Sequence, residues 1–300
     1  MVSFQRMDLA EGHVAAGSSA AWVRRLRPVD ALLLAYVAVA SVVAATRLAA
    51  FPDCIWLLVA NALILVLVVL VNQADVGPFG RAVREVYPIL LLLALYGSLD
   101  LLNGGGRIRV NDARVQAWEA ALFGWQPSRD WWRAAPSRLW STVLHGAYFS
   151  YYVVIIAPTV AFLARADRAP LRRFVLAVMT TFIVCYLSFI FFPVAGPYYA
   201  FPRPTGAFVD NPAAHLVYAV LAAGSSYGAA FPSSHVAASI AATMVTWPAS
   251  RPLGIVLALA TGLLTVGVVY CQMHYAVDAL AGLVVGVVVA VAVNSVNGKR

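Results

Sequence analysis

The apolar residues of this chain of 300 residues gather into eight runs separated by polar segments. A helix needs about 20 apolar residues to cross the hydrocarbon core of a bilayer, and most of the runs approach that length. The pattern therefore predicts an all-α fold, a polytopic membrane helical bundle with about eight transmembrane helices. The runs cover residues 29–50, 54–72, 86–102, 139–163, 172–193, 232–248, 253–271 and 275–294.

Two longer segments connect the runs. In the first, residues 111–125, the apolar residues recur at helical spacing with the charged residues on other faces; they are Val115, Trp118, Leu122 and Trp125. This spacing predicts a helix that lies in the membrane interface, while a surface loop with anchoring aromatic residues is the alternative. The second segment, residues 194–230, is rich in Pro, Gly and Tyr and leads directly into the sixth run.

The runs divide the chain into three parts. Residues 1–28 lack periodicity and are predicted to form a cytosolic tail. Residues 29–80 supply two accessory transmembrane helices. Residues 81–296 form a six-helix membrane core, which includes the interfacial helix at about 111–125 and carries the candidate catalytic residues.

Composition agrees with a membrane protein. Hydrophobic residues make up 62% of the chain and charged residues 11%, and the mean hydropathy is +0.81. The formal net charge of +8 reflects loop topology in such a protein, and no basic patch interleaved with aromatic residues indicates a nucleic-acid partner. The spacing of the three cysteines, Cys54, Cys185 and Cys271, matches neither a disulfide framework nor a zinc site.

The arginine distribution predicts the orientation in the membrane. A cytosolic N-terminus places the cluster RADRAPLRR, residues 165–173, in a short cytosolic loop, in accordance with the positive-inside rule. Both termini are then cytosolic, and the segments around residues 235 and 274 face the outer side. An alanine-rich chain with many arginines and one lysine, Lys299, is typical of GC-rich bacterial genomes. We therefore expect an integral protein of a bacterial plasma membrane.

Two short motifs carry the candidate chemistry. In AAFPSSHVAAS, residues 229–239, the proline and the serines are good first-turn and capping residues, so His235 lies in the first turn of a helix. In QMHYAVD, residues 272–278, His274 and Asp278 are one helical turn apart and share a face. Because the sixth run starts and the seventh ends at the outer face, we expect the three side chains at one depth.

This set of residues is suited to phosphoryl transfer. A carboxylate that holds one imidazole nitrogen leaves the other as a free lone pair, which makes His274 a competent nucleophile toward phosphorus. His235 could then protonate the leaving group as general acid. The helix N-terminus, with Ser233 and Ser234, would bind the phosphate oxygens. A zinc or iron site built from the same three ligands is the first alternative, and a serine hydrolase using Ser233 or Ser234 is the second, although no G-x-S-x-G elbow is present.

The motifs resemble those of a known family, the type 2 phosphatidic acid phosphatase superfamily. More closely, they are similar to its inositol phosphorylceramide synthase-like branch, the inositolphosphotransferases. The resemblance covers roughly residues 86–294 and includes LFGWQPS at 122–128 and FPVAGPYY at 192–199. It rests on P-S-x-H and Y-x-x-x-H-Y-x-x-D-x-x-x-G, which correspond here to Pro232, Ser233, Ser234, His235, Tyr270, His274, Tyr275, Asp278 and Gly282.

The resemblance implies metal-independent transfer of a phosphoryl or phosphodiester group on a lipid, without a cofactor. It also implies that His274 is the nucleophile, Asp278 its orienting residue and His235 the acid.

Two phosphate-binding cations of the phosphatases are missing. Of their K-x6-R-P motif, Arg203 and Pro204 are present, but Gly196 stands at the lysine position. Val268 stands where their third motif carries an arginine, and Ser234 replaces their usual glycine. Weaker binding of a dianionic monoester favours a monoanionic phosphodiester donor, with Arg203 as the candidate phosphate-binding cation.

Further candidates for the substrate pocket lie near the outer ends of the runs. Positions 145, 148 and 152 share one helix face and form a polar stripe that points into the bundle. The alternative is that these side chains serve packing and interfacial anchoring. The candidates are Asp100, Asn103, His145, Tyr148, Tyr152, Tyr198, Tyr199 and Tyr270.

The sequence thus predicts a membrane lipid phosphotransferase. It would move a phosphoryl group or a phospho-headgroup, such as phosphoinositol, from a phospholipid or polyprenyl-phosphate donor to a lipid or sugar hydroxyl through a phosphohistidine intermediate. One alternative is a lipid phosphate phosphatase that releases inorganic phosphate from phosphatidic acid or polyprenyl diphosphate. An alternative of another class is a non-enzymatic lipid-binding or transport protein.

Overall fold

The computed structural model of the protein describes residues 26–73 and 77–297, and these residues form helices joined by short connections. The predicted cytosolic tail, residues 1–28, lies almost wholly outside the described residues. The helices are α1 Pro28–Arg47, α2 Cys54–Gln73, α3 Gly77–Leu102, α4 Asp112–Phe123, α5 Pro127–Ala134, α6 Arg138–Leu163, α7 Ala169–Phe191, α8 Pro197–Ala200, a 3₁₀ turn Gly206–Phe208, α9 Pro212–Gly224, α10 Ser234–Thr246, α11 Arg251–Tyr270 and α12 Ala276–Asn297.

Seven helices within the described residues are long and apolar enough to cross a membrane: α1, α2, α3, α6, α7, α11 and α12. The prediction of an all-α polytopic membrane bundle is therefore confirmed. The predicted count of eight differs from this number because the sixth run forms α10, a helix of 13 residues. At 1.5 Å per residue such a helix rises roughly 20 Å, which is short of a hydrocarbon core about 30 Å thick. Helix α10 is instead enclosed by α7, α11 and α12.

The two ends of the bundle are held by different polar contacts. At one end, where α1, α3 and α7 begin, Glu85 accepts hydrogen bonds from Arg172, with an Nη2–Oε1 distance of 2.6 Å, and Arg27 pairs with Asp30 at 2.7 Å. At the other end, Arg47 donates to the carbonyl oxygens of Leu102 and Ile190, which lie at the ends of α3 and α7. The candidate histidines lie at this second end, and its assignment to the outer side remains a prediction from the arginine distribution.

The structure places helix α4 within the segment for which an interfacial helix is predicted. Near the C-terminal end of α4, Leu122 is 61% exposed. The expected distribution of charges is wrong, however, because Asp112 and Glu119 share the inward face with Val115 and are buried. Residues three and four positions apart lie on one side of a helix, so whatever orients Val115 toward the bundle orients both carboxyl groups as well.

The segment 194–230 contains a helix that the sequence patterns did not predict. Asn211 is the N-cap of helix α9, and its side-chain oxygen accepts a hydrogen bond from the Ala214 amide at 2.9 Å. Its apolar face packs against α6. The segment is therefore part of the folded bundle and closes over the end at which the histidines lie.

Two glycines allow α10 and α12 to approach until their backbones touch. A Cβ atom on Gly282 would lie 2.5 Å from the carbonyl oxygen of Ser233, and one on Gly286 would lie 2.5 Å from that of Ala237. The glycines are four residues apart, so both face α10, in the small-xxx-small pattern that membrane helices use for close packing. In addition, the Ser233 amide donates to the Asp278 carbonyl at 3.0 Å.

We predict that Gly286→Ala destabilises the protein by about 1–3 kcal/mol, because the methyl group pushes the two backbones apart. The matched control is Gly262→Ala on α11, where a Cβ meets no atom within 4 Å. This control should be neutral or stabilise by up to about 1 kcal/mol, since alanine is the better helix former. Thermal unfolding of both purified variants in detergent micelles measures the difference. Equal melting temperatures would contradict the packing described here.

Candidate active site

His235 and His274 line the same cavity at one end of the bundle. Their ring centroids are 6.0 Å apart. The cavity has a volume of about 50 Å³, and a water molecule needs about 10–15 Å³, so a group of phosphate size fits. Polar groups from four helices and two connections surround it: Tyr96, Tyr148, Tyr198, Tyr199, Ser225, Ser226, His235 and His274.

His274 lies in the turn between α11 and α12. The amides of Met273 and His274 both donate to the carbonyl oxygen of Val268, at 2.9 and 2.8 Å, and so end α11. The turn requires a positive φ of 61° at Gln272, a conformation that is unfavourable for a residue with a side chain. The Gln272 side chain compensates, because it donates to the Pro202 carbonyl at 3.0 Å and accepts from the Trp132 indole at 2.9 Å.

Asp278 lies behind His274, as the helical spacing predicts. Its Oδ2 atom is 3.4 Å from Nδ1 of His274 and accepts a hydrogen bond from the Tyr275 amide at 2.9 Å. The carboxyl group is fully buried. A separation of 3.4 Å exceeds that of a full hydrogen bond, and catalytic contacts of this kind commonly shorten when substrate binds. With Nδ1 turned toward Asp278, Nε2 is the nitrogen with which His274 would attack if it acts as the predicted nucleophile.

Burial lowers the pKa of His274 to about 4, and a backbone hydrogen bond with Ala230 opposes part of this shift. The ordinary pKa of a histidine is 6.5. A charged imidazolium is disfavoured where the ring has lost its water. At neutral pH, His274 is therefore uncharged and keeps a free lone pair.

His235 occupies the first turn of α10, as predicted. Ser233 is the N-cap of that helix, and its hydroxyl oxygen accepts from the Val236 amide. The imidazole lies between two tyrosine rings, with centroid distances of 4.9 Å to Tyr148 and 4.8 Å to Tyr151. Its Nε2 atom is 3.3 Å from the Tyr148 hydroxyl, and its buried Nδ1 atom has no hydrogen-bond partner among the described residues.

The candidate phosphate-binding residues lie around the cavity rather than on its lining. Ser233 and Ser234 are buried in the first turn of α10. The guanidinium carbon of Arg203 stacks 4.3 Å from the ring centroid of Tyr198, which lines the cavity. Among the described residues, no arginine or lysine contributes to the lining itself. Phosphate in this cavity would therefore meet hydroxyl groups, imidazoles and backbone amides before it meets a cation.

The structure brings only some of the other predicted pocket residues to the cavity. Tyr148, Tyr198 and Tyr199 line it. The remaining candidates lie outside its lining, where several make contacts that hold the fold. These five are Asp100, Asn103, His145, Tyr152 and Tyr270. Asn103 donates to the Tyr227 carbonyl, and Tyr270 donates to the Ala135 carbonyl. His145 contacts Ser141 and Cys271, and Tyr152 is half exposed.

Sequence reasoning missed several residues of the site. Tyr96 on α3 lines the cavity, and its hydroxyl accepts a hydrogen bond from the Ser226 amide at 3.0 Å. Tyr151 follows Tyr148 by three residues, so the helical spacing of the polar stripe could have included it. Ser226 carries no comparable signal, because its position depends on how the segment 194–230 folds over the bundle end.

A family model described as the PAP2 superfamily matches residues 113–292, which is more than half of the chain. The fold and the site had already defined a polytopic membrane protein with two histidines and an aspartate gathered at one bundle end. The chain belongs to the PAP2 superfamily, and this membership supports a phosphatase-type enzyme that acts on phosphorylated lipids in a membrane. Searches of curated proteins and of solved structures found no match.

The superfamily resemblance in the motifs is thus confirmed, while the inositol phosphorylceramide synthase-like branch remains a prediction. Among the described residues, no group of three or more His, Cys, Asp or Glu side chains is arranged to hold a metal ion.

We predict that the acidic limb of the rate profile lies near pH 4 rather than near pH 6.5, because His274 loses its nucleophilic lone pair only when it is protonated. The measurement is kcat/KM for lipid turnover in detergent micelles between pH 3.5 and 8. His274 is uncharged at both pH 5.5 and pH 7.5, so no rise in rate is expected between them. Burial lowers the pKa of His235 to about 3, so loss of the proton that His235 donates lowers the rate toward higher pH. An acidic limb centred near pH 6.5 would contradict a buried, neutral nucleophile.

Proposed function

We propose that this protein is a lipid phosphotransferase that moves a phospho-headgroup from a phospholipid or polyprenyl-phosphate donor to a hydroxyl acceptor. The observation that carries the proposal is the common cavity of His235 and His274, with the carboxylate of Asp278 behind His274. Two imidazoles on one cavity can act on opposite sides of a single phosphorus atom.

The first half-reaction is an attack by His274. Its Nε2 forms a bond to phosphorus while the bond between phosphorus and the lipid oxygen breaks. The departing alkoxide takes a proton from His235, and the headgroup remains on His274 as a phosphohistidine ester. The carboxylate of Asp278 stabilises the positive charge that develops on the ring of His274.

The second half-reaction reverses these roles. The acceptor hydroxyl loses its proton to His235 as its oxygen attacks phosphorus, and the bond between phosphorus and His274 breaks. The product is a new phosphodiester, and both histidines return to their starting states. A lipid or sugar hydroxyl would yield transfer, whereas water would yield hydrolysis, so exclusion of water favours transfer.

The first turn of α10 supports binding of the phosphate oxygens. The amides of Ser234 and His235 precede the first intrahelical hydrogen bond, which runs from the Ala237 amide to the Ser233 carbonyl. Amides at this position point out of the helix and favour an anion. They can stabilise charge that grows on the nonbridging oxygens during transfer.

The cavity lining supports a monoanionic phosphodiester as donor. Dianionic monoesters generally need several cations, and the described lining offers hydroxyl groups and no arginine or lysine. Tyrosine hydroxyl groups both donate and accept hydrogen bonds, which suits a polyol headgroup such as inositol or a sugar. Arg203, stacked on Tyr198, can supply one positive charge at the edge of the cavity.

An apolar groove provides a place for the donor's acyl chains. It has a volume of about 500 Å³ and lies between α4 and α12, where Trp118, Leu122 and Leu280 contribute to its walls. Phe231 lines the groove, and the preceding residue, Ala230, lines the cavity. A lipid with its phosphate at the histidines can therefore keep its chains on the membrane-facing side.

A lipid phosphate phosphatase is the second candidate, and membership in the PAP2 superfamily favours it. It would use the same histidine intermediate with water as the acceptor. The two candidates differ in their products, since a phosphatase releases inorganic phosphate and a transferase makes a new phosphodiester.

We predict that His274→Ala abolishes turnover and that Asp278→Asn lowers kcat by about 10²–10⁴-fold, as for the loss of an orienting carboxylate. The assay supplies ³²P-labelled phosphatidylinositol or phosphatidic acid in mixed micelles and follows label in protein, in new lipid and in inorganic phosphate. The matched control is His215→Ala, which alters an exposed histidine of α9 and should leave the rate unchanged.

Label transferred from phosphatidylinositol to a new phosphodiester supports the transferase. If the only labelled product is inorganic phosphate released from phosphatidic acid, the protein is the phosphatase and not the transferase. Retained turnover in a folded His274→Ala variant would overturn both.

A further inference from the structure

Helix α4 buries two carboxyl groups that the proposed reaction does not use. Asp112 is 9% exposed and Glu119 is fully buried. Burial of a carboxylate is costly unless hydrogen bonds replace its lost water. An apolar face would attach an amphipathic helix to the bundle without this cost. The hydrogen-bond partners of the two carboxyl groups therefore indicate their role.

Glu119 holds the N-terminus of α12, which begins two residues after His274. Its Oε1 atom accepts a hydrogen bond from the Ala276 amide at 2.7 Å. Ser128 donates to the same carboxyl group through its hydroxyl at 2.6 Å and its amide at 3.3 Å, and the Gln126 side chain also donates. All of these donors are uncharged, so the carboxyl group serves as an acceptor that gathers backbone and side chains around the first turn of α12.

Asp112 joins the same turn to the part of the cavity lining that contains Ala195. Its Oδ2 and Oδ1 atoms accept from the amides of Ala195 and Gly196, each at 2.8 Å, and Ala195 lines the cavity. Its Oδ1 atom also accepts from the Tyr275 hydroxyl at 2.9 Å. The Gln116 side chain donates to that hydroxyl at 2.9 Å. Tyr275 is fully buried and follows His274 directly.

We propose that Asp112, Gln116 and Glu119 form a clamp that positions His274 against His235 and the Ala195 wall. The clamp residues contact neither imidazole; they act through Tyr275 and Ala276 and are positioning residues. On the other side, the amides of Met273 and His274 are already fixed by the Val268 carbonyl. The histidine is therefore held at both of its chain neighbours, with α4 supplying one of the two attachments.

This inference rests on the proposed function, and Tyr275→Phe tests it. The variant keeps the ring but removes the hydroxyl that joins Asp112 and Gln116. We expect kcat for the ³²P-labelled phosphatidylinositol or phosphatidic acid to fall about 10- to 100-fold, since a displacement of 1 Å can cost this much. KM should stay within about threefold, because the residues lining the cavity are unchanged.

The matched control is Tyr87→Phe. Tyr87 is also buried, and its hydroxyl donates to the buried carboxylate of Asp30 at 2.6 Å, at the opposite end of the bundle. Both variants leave a buried carboxylate short of one donor, so both should lower Tm to a similar extent. Only Tyr275→Phe should lower kcat, and Tyr87→Phe should stay within about twofold of the unaltered protein because it is far from the site.

A second variant covers the case in which Tyr275→Phe does not fold. Gln116→Met removes one hydrogen bond to the Tyr275 hydroxyl and leaves the bond to Asp112, so a smaller fall in kcat of about three- to tenfold is expected at unchanged KM.

An unchanged kcat in Tyr275→Phe would overturn the clamp, as would equal losses of kcat in Tyr275→Phe and Tyr87→Phe. If Tyr275→Phe does not fold, an unchanged kcat in Gln116→Met would overturn it. The proposed function stands in each of these cases. Full turnover in His274→Ala would overturn the proposed function itself, so the two failures are distinguishable.

Discussion

The contact between α10 and α12 is the constraint on which the site depends. Gly282 and Gly286 remove the side chains that would separate the helices, and the Ser233 amide then reaches the Asp278 carbonyl. In a membrane, helices gain little from burying apolar surface against each other, so close packing and hydrogen bonds of this kind decide how they associate. Because His235 and Asp278 lie in the first turns of these two helices, the same contact that joins the helices brings the catalytic candidates together.

A second constraint is the satisfaction of buried polar groups at this end of the bundle. The carboxyl groups of Asp112 and Glu119 have several donors each, whereas Nδ1 of His235 and Oδ1 of Asp278 have none among the described residues. In surroundings of low dielectric constant, satisfied networks are rigid and unsatisfied groups are costly. The contrast separates the site into a rigid frame around α4 and a centre beside the cavity in which buried polar atoms lack partners among the described residues.

The proposed chemistry depends on the burial of His235 and His274 away from water. In the proposed mechanism, the uncharged His274 keeps the lone pair with which it attacks phosphorus, and the incoming phosphate brings the negative charge that favours a protonated His235. Tyrosine rings on two sides of His235 limit the access of water and keep the ring oriented. The few cations near the cavity and the apolar groove beside it both support the proposed lipid phosphodiester donor.

The sequence alone predicted the seven described helices that are long and apolar enough to cross the bilayer, although it counted α10 as an eighth. Long apolar runs report span positions directly, because the hydrocarbon core sets their length. Alternating helix direction, together with the i, i+4 spacing of His274 and Asp278, predicted that the three candidate residues share one end.

Only the tertiary structure decided which side of each helix faces inward. Rotation of a helix about its axis is set by packing against neighbours, so the buried carboxyl groups of α4 and the position of Tyr96 had no local signal. The same holds for α10, whose apolar run looks like a span but is short and enclosed by other helices. An apolar run predicts that a helix is buried, but the sequence pattern is the same whether lipid or protein surrounds the helix.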